Sequence, residues 1–394
     1  MSWPMVEIGG LVTKIDTWNP AKQGGKTPFD YIDLSSVDKD SKKIVSESLA
    51  KVVPDKAPSR ARQLVKEDDV LVATVRPNLN GVAVVEAEFS GATASTGYCI
   101  LRVNPKLLDY RYLFYWVQSP LFITDMMSKA SGANYPAVSD KIIKESKIPH
   151  PPLAEQKRIA AILDKADAIR QKRQQAIKLA DEFLRSVFLE MFGDPVTNPK
   201  GWGVKELGDV TVKITDGVHS KPQYVDSGVP FISVKDITTG TLNFNDTKFI
   251  TEDAHQKYIK RCNPEFHDIL YTKVGATYGR PAIIETENQF SLYVSVALIK
   301  PNHKLINAYF LKEVLATSAI KRQADRSIKG AGVPDLHLVE IRKFIIPVPD
   351  MNTQREYVNK TSSIRRKIIR LNESLKLIEE GFNSLSQKAF SGQL

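Results

Sequence analysis

Few residues in this chain combine the types and spacing that catalysis demands. Transfer of a methyl group to an exocyclic amine would need an Asn/Asp-Pro-Pro-aromatic loop and a Gly-rich turn for the donor. The nearest approaches are Asn263-Pro264-Glu265-Phe266, broken by Glu265, and His150-Pro151-Pro152-Leu153, which lacks both the amide or carboxylate and the ring. Gly24-Gly25-Lys26-Thr27 resembles the end of a phosphate loop, but Pro20 stands where the first glycine belongs. A metal nuclease needs clustered carboxylates plus a lysine. Glu145-Ser146-Lys147 and Asp246-Thr247-Lys248 can be read that way, yet triplets this short recur by chance. The six histidines are dispersed, His255 and His267 being the closest pair, with no helical metal spacing. Cys99 and Cys262 are the only cysteines, too few for a disulfide framework or a Cys-rich zinc site, and they fit a reducing compartment. The expectation is a chain with no catalytic residues, no metal site and no bound cofactor. An active site assembled from distant positions stays open as an alternative.

The elements that would position any site come in two copies. Trp3, Glu7 and Gly9 match Trp202, Glu206 and Gly208 at an offset of 199, and Asp69, Leu71, Val75, Ala83 and Glu86 match Asp268, Leu270, Val274, Ala282 and Glu285. One residue is then lost. At an offset of 198, Gly132, Ala133, Pro136 and Ile143 match Gly330, Ala331, Pro334 and Ile341, and Pro149, Pro151, Gln156 and Phe192 match Pro347, Pro349, Gln354 and Phe390. Long ungapped stretches in the same order mark a tandem duplication. The 394 residues, 42% apolar and 25% charged, have the ordinary globular mix and length for two to three domains.

Each repeat opens with short β-rich runs, DVLVATV (69–75) and GVAVVEAEF (81–89) in the first, DILYTKV (268–274) and PAIIE (281–285) in the second. Their alternating apolar positions predict half-buried strands. A short helical stretch follows in each, around 110–118 and 308–316. The end of each repeat differs in kind. Apolar or seam positions run Ile159, Ile162, Ala166, Ile169, Arg173, Ala176, Ala180, Phe183, Val187, and again Ile364, Ile368, Leu371, Leu375, Ile378, Phe382, Leu385, Ala389. Gaps alternating three and four predict two helices of ~38 residues, each ~57 Å long, with narrow seams against another helix. The simplest burial of both stripes pairs them antiparallel, as in a dumbbell with approximate two-fold symmetry. The expected class is α/β (α+β), two globular domains joined by two long antiparallel coiled-coil helices in a pseudo-two-fold internal repeat. The boundaries are 1–150 for the first domain, 151–193 for its helix, 194–201 for a linker, 202–348 for the second domain and 349–394 for its helix.

The remaining clues concern partners. With 55 basic and 45 acidic residues the net charge of +10 is compatible with a polyanion such as nucleic acid. MSWPMVEIGG does not read as a signal peptide and no run is long enough to span a bilayer, so the expectation is a soluble cytoplasmic protein with no membrane partner.

PHPPLAEQKRIAAILDKADAIRQKRQQ (149–175) resembles the central helical region of specificity (S) subunits of type I restriction-modification systems, and DGVHSKPQYVDSGVPFISVKDI (216–237) resembles the opening of one of their target-recognition domains. The Gln156 and Gln354 regions and the tail QKAFSGQL (387–394) fit the same pattern in both repeats. The second helix departs from the first at its start, with Met351-Asn352-Thr353 against Leu153-Ala154-Glu155. The resemblance implies a non-catalytic chain in which each recognition domain reads half of a bipartite double-stranded DNA target. The helices would serve as spacer and docking surface for two modification (methyltransferase) subunits, joined by two ATP-driven restriction subunits. S-adenosylmethionine, ATP and Mg would belong to those partners.

Since Arg and Lys can bond guanine, Asn and Gln adenine, and Lys and Ser/Thr phosphate, polar basic loops beside the strands are the DNA-contact candidates. They are Lys22, Gln23, Lys26, Arg76, Asn78 and Asn80 in the first domain, and His219, Lys221, Gln223, Lys273, Thr277, Tyr278, Arg280 and Lys329 in the second. The loops 76–80 and 277–280 fill the same slot between matched strands. Seam and partner-contact candidates are Gln156, Ile162, Ile169, Phe183, Gln354, Ile364, Leu371 and Ile378. Two other readings stay open: a coiled-coil adaptor that does not read DNA, and a self-sufficient nuclease or methyltransferase.

Overall fold

The computed structural model describes residues 3–132, 135–328 and 332–394. The chain forms two compact units, Met1–Ala176 with Leu371–Leu394, and Ile177–Arg370. These boundaries cut through both long helices instead of falling between the repeats. Each unit is a domain plus half of each helix.

In the first unit an antiparallel sheet runs in the order Val12–Thr13, Tyr98–Val103, Val70–Ala73, Val82–Val84, with Leu71 opposite Ile100 and Val72 opposite Cys99. Successive side chains point to opposite faces of a strand. Val70, Val72, Cys99 and Leu101 therefore join a core with the helices Tyr110–Trp116 and Pro120–Lys129, whereas Leu71, Tyr98 and Ile100 join a second core on the other face. That second face is covered by a smaller sheet, Ala50–Val52, Phe29–Ile32, Thr93–Ser95, Ala61–Leu64, in which Phe29–Ile32 and Thr93–Ser95 are parallel. The alternating pattern predicted half-buried strands. The central ones are instead buried on both faces, because a second layer covers the side the pattern assigned to solvent.

The second unit repeats the arrangement. Thr211–Asp216, Val296–Pro301, Ile269–Thr272 and Pro281–Ile283 form the main sheet, with Leu270 opposite Leu298. A three-stranded sheet of Lys248–Ile250, Val229–Ile232 and Ser291–Leu292 again holds one parallel pair. Capping is duplicated too. Asp109 and Asn307 each accept two backbone N–H bonds at the start of equivalent helices, and Ser119 and Thr317 each cap the next.

The long helices are Leu153–Phe192 and Met351–Ser391, 40 and 41 residues. Gly193 and Gly392 follow them with φ of 76° and 74°, the left-handed conformation that ends a helix and that glycine adopts without a Cβ clash. Within the first unit the helix halves run antiparallel: Arg158 donates to the Leu394 carbonyl at 3.1 Å, and the Arg170 guanidinium lies 5.5 Å from the Phe382 ring centroid. The end of the second helix plugs this domain, with Phe390 at 5.2 Å from Tyr112 and 5.1 Å from Trp116. Within the second unit the end of the first helix does the equivalent. Phe192 sits 4.7 Å from Phe310 and 5.4 Å from Tyr357, on the opening turns of the second helix.

Two expectations about the helices are corrected. The buried stripe of the first helix is Gln156, Ile159, Ala160, Leu163, Asp167, Leu184, Phe188 and Phe192, about one position round from the predicted seam. Ile169 and Phe183 are consequently 55% and 50% exposed, and Ile162 is half-buried. The cause is that this helix buries Ile159, Ala160 and Leu163 in the first unit's core and Phe188 and Phe192 in the second unit's core. The second helix keeps the predicted face, with Leu371 buried and Ile364 and Ile378 half-buried. Gln156 and Gln354 are not partner-facing, since both are fully buried. Gln156 accepts from the Asp109 N–H at 3.0 Å and donates to the carbonyls of Leu107 and Pro151 at 3.1 and 2.9 Å. Gln354 makes the same three bonds to Asn307, Leu305 and Pro349.

Removing a buried aromatic side chain costs about 3–5 kcal/mol. Phe192→Ala is expected to lower the stability of the second unit by that amount. Denaturant titration of the fluorescence of Trp202, the only tryptophan in that unit, 6.3 Å from Phe192, reads the change. An unchanged midpoint would show that the helix end does not hold the domain closed.

Candidate nucleic-acid interface

In the first unit the strands Val70–Ala73 and Val82–Val84 are joined by a loop in which Arg76 and Asn80 both adopt left-handed conformations, φ 52° and 45°, on either side of the turn Pro77–Leu79. For Arg76 this costs ~1–2 kcal/mol, whereas asparagine is among the residues that tolerate it. The surroundings hold the loop against that cost. The Arg76 N–H donates to the Pro136 carbonyl at 2.7 Å, the Asn80 side-chain amide to the Val117 carbonyl at 2.8 Å, and Lys42 Nζ to the Asn80 carbonyl at 2.7 Å. Arg76 and Asn78 are exposed, and the Arg76 guanidinium lies 4.5 Å from the ring centroid of Tyr135, which is itself 65% exposed. Asn80 is half-buried and holds the loop; its side chain is already occupied. Lys22, Gln23 and Lys26 are exposed around the short helix Pro20–Gln23, where the Gln23 side chain accepts from the Asn19 N–H at 2.6 Å.

The matching loop of the second unit is built differently. Gly275 and Gly279 occupy the left-handed positions, and the Gly275 N–H donates to the Pro334 carbonyl at 2.9 Å. Thr277 is half-buried, and its carbonyl accepts from the Thr272 hydroxyl at 2.7 Å. The Tyr278 hydroxyl donates to Asp325 at 2.5 Å while Lys321 Nζ lies 3.7 Å from its ring centroid. Arg280 is exposed, and one of its nitrogens donates to the Thr238 carbonyl at 2.5 Å. His219, Lys221 and Gln223 are exposed on the segment after Thr211–Asp216. Lys329 lies outside the described residues.

Lys273 is a correction. It is 5% exposed, and its ammonium lies 3.6 Å from the buried Asp216 and 3.4 Å from the half-exposed Asp335, so it is committed to these carboxylates and offers nothing to an external anion. Asp216 also takes Arg261 at 2.5 Å and His219 at 3.3 Å, beside a cavity of about 150 Å³ lined by Gly217, Val218, Tyr258, Cys262 and Leu292 among others. Burial pushes the Cys262 thiol up to about 12, leaving it protonated and inert. Among the described residues no three His, Cys, Asp or Glu side chains gather as a metal site, and no helix is long and apolar enough to cross a membrane.

Sequence reasoning missed Tyr135, Lys42 and the Asp216–Arg261 pair. Tyr135 carried a signal, because it precedes Pro136, which the repeat matches to Pro334. Lys42 sits in the polar run DKDSKK (38–43), where no pattern separates it from its neighbours.

Burial, reinforced by the nearby Arg170 cation, lowers the Lys42 ammonium from 10.5 to about 8. Between those values the unfolded chain binds more protons than the folded one, so folding stability rises with pH across that window. Wild type is expected to gain stability relative to Lys42→Met as pH rises from about 8 to 10.5, read as the difference between their denaturation midpoints. A constant difference would show that Lys42 is not held in that environment.

Comparison with known proteins agrees with the internal repeat. The family described as "Type I restriction modification DNA specificity domain" matches residues 2–179 and again 199–380. The specificity subunit of the type I restriction enzyme EcoBI from Escherichia coli is 24% identical over 318 residues, 72% of this chain and 66% of that protein. The MjaVIII specificity subunit from Methanocaldococcus jannaschii is 22% identical over 346 residues, 84% of this chain and 80% of that one. The crystal structure of a type I restriction-modification S subunit from M. genitalium covers 99% of this chain and 96% of its own, with a TM-score of 0.57 at 15% identity, a likeness of fold.

Proposed function

The chain belongs to the type I restriction-modification DNA specificity family, and on that premise we propose that it is the sequence-reading subunit of such a complex, each unit recognising one half of an asymmetric two-part DNA target. The observation that carries this reading is the paired hairpin loop. One scaffold presents Arg76 and Asn78 in the first unit and Thr277, Tyr278 and Arg280 in the same slot of the second. Shared strands with different loop side chains are what two readers of two different sequences require.

The chain itself is non-catalytic in this reading and works in the cytoplasm. Adenine methylation falls to two modification subunits docked along the long helices, and cleavage to two ATP-driven restriction subunits. S-adenosylmethionine, ATP and magnesium are held by those partners. The broken motifs at Glu265 and Pro20 support this division of labour. The helices set the gap between half-sites, which are centred about one turn of B-DNA apart, ~34–36 Å; their lengths of 40 and 41 residues are ample for such a spacer.

Duplex binding is expected to depend on sequence and to weaken steeply with salt, whereas a protein-docking adaptor would show neither. Deleting one heptad from both helices, ~10 Å each, is expected to shorten the gap or abolish binding. Sequence selection from a randomised duplex library checks it, and an unchanged gap would refute the spacer role.

A further inference from the structure

We propose that Arg76 is a guanine-reading residue of the first unit, held in its reading geometry by the exposed ring of Tyr135. The proposal rests on the reading of each unit as a DNA half-site reader and names the base that this loop takes. Three observations converge on it. The repeat shows what the backbone alone prefers: Gly275 and Gly279 fill the two left-handed positions of the second unit, and Arg76 and Asn80 fill the same positions in the first. Both backbones make the same bond to the proline segment, Arg76 to Pro136 and Gly275 to Pro334. The scaffold therefore needs no side chain at this position, and the first unit accepts a strained residue where glycine would be free of strain.

The second observation is the state of the guanidinium. Arg76 is exposed, and no carboxylate among the described residues pairs with it. Its Cζ instead lies 4.5 Å from the centroid of the Tyr135 ring. A guanidinium free of carboxylates and resting over an aromatic ring is restricted before any ligand arrives, which lowers the ordering cost of a two-bond contact. The third observation is the anchorage around it. Lys42 holds the Asn80 carbonyl and Asn80 holds that of Val117, so the far end of the loop cannot swing. A rigid, planar donor pair matches the O6 and N7 acceptors that guanine presents in the major groove. A phosphate contact would need neither the strain nor the ring. Tyr135 is a positioning residue in this account.

The test uses the full chain assembled with its modification subunits, and a duplex library randomised across both half-sites. Wild type is expected to enrich a two-part motif with a guanine in the half read by the first unit. Arg76→Lys keeps the charge but loses the fork, and is expected to reduce preference for that guanine about 10- to 100-fold while leaving the other half-motif unchanged. Tyr135→Ala weakens the same preference at the same position, and Tyr135→Phe restores it. An unaltered motif for Arg76→Lys overturns the proposal, as does a loss of binding equal for every sequence, which marks a phosphate contact. Absence of any two-part motif from wild type would instead bring down the underlying reading of the units as half-site readers.

Discussion

The amides of Gln156 and Gln354 have no access to water, and each spends its carbonyl and both its hydrogens on backbone groups of the domain that precedes its helix. The rest of the structure depends on these two latches. A buried polar group left unpaired costs roughly 1–3 kcal/mol, so the first turn of each helix is tied to the domain before it. The far end of the same helix carries Phe192 or Phe390, buried in the other unit's aromatic core. Each helix is thus fixed at its start by hydrogen bonds and at its end by packing, and neither unit is complete without chain from both repeats. This is why the compact units cut across the repeats.

That constraint also explains which parts of the fold were legible in the sequence. The duplication, the strand runs and the two long helices could be read because each follows a rule of spacing visible along the chain. The face of the first helix could not. Ile162, Ile169 and Phe183 fit a helix–helix seam, but a helix that must pack against a domain as well turns Leu163, Leu184 and Phe188 inward. Apolar period alone does not say how many neighbours a helix has. The second cover over the central strands was hidden because its strands are only two to four residues long, too short to show an apolar period.

The site was legible as a slot and not as chemistry. Repeat matching located both hairpin loops, and the exposed Arg76, Asn78 and Arg280 lie in them. Charge alone misplaced Lys273, because its partners Asp216 and Asp335 come from distant parts of the chain. It also overlooked Tyr135, which bears no charge yet lies under the Arg76 guanidinium. The two loops reach the same backbone course by opposite means, glycine in one unit and anchored strained residues in the other. Divergence after duplication has changed what the loop presents while the strands beneath it stayed the same.

Each unit is proposed to read its own half of the DNA target independently of the other. The most direct test is the recognition motif of the assembled complex when loop residues 277–280 alone are replaced by Gly and Ser. Loss of preference in one half of the motif, with the other half and the gap unchanged, is the result this account requires. A change in both halves, or in the gap, would contradict it.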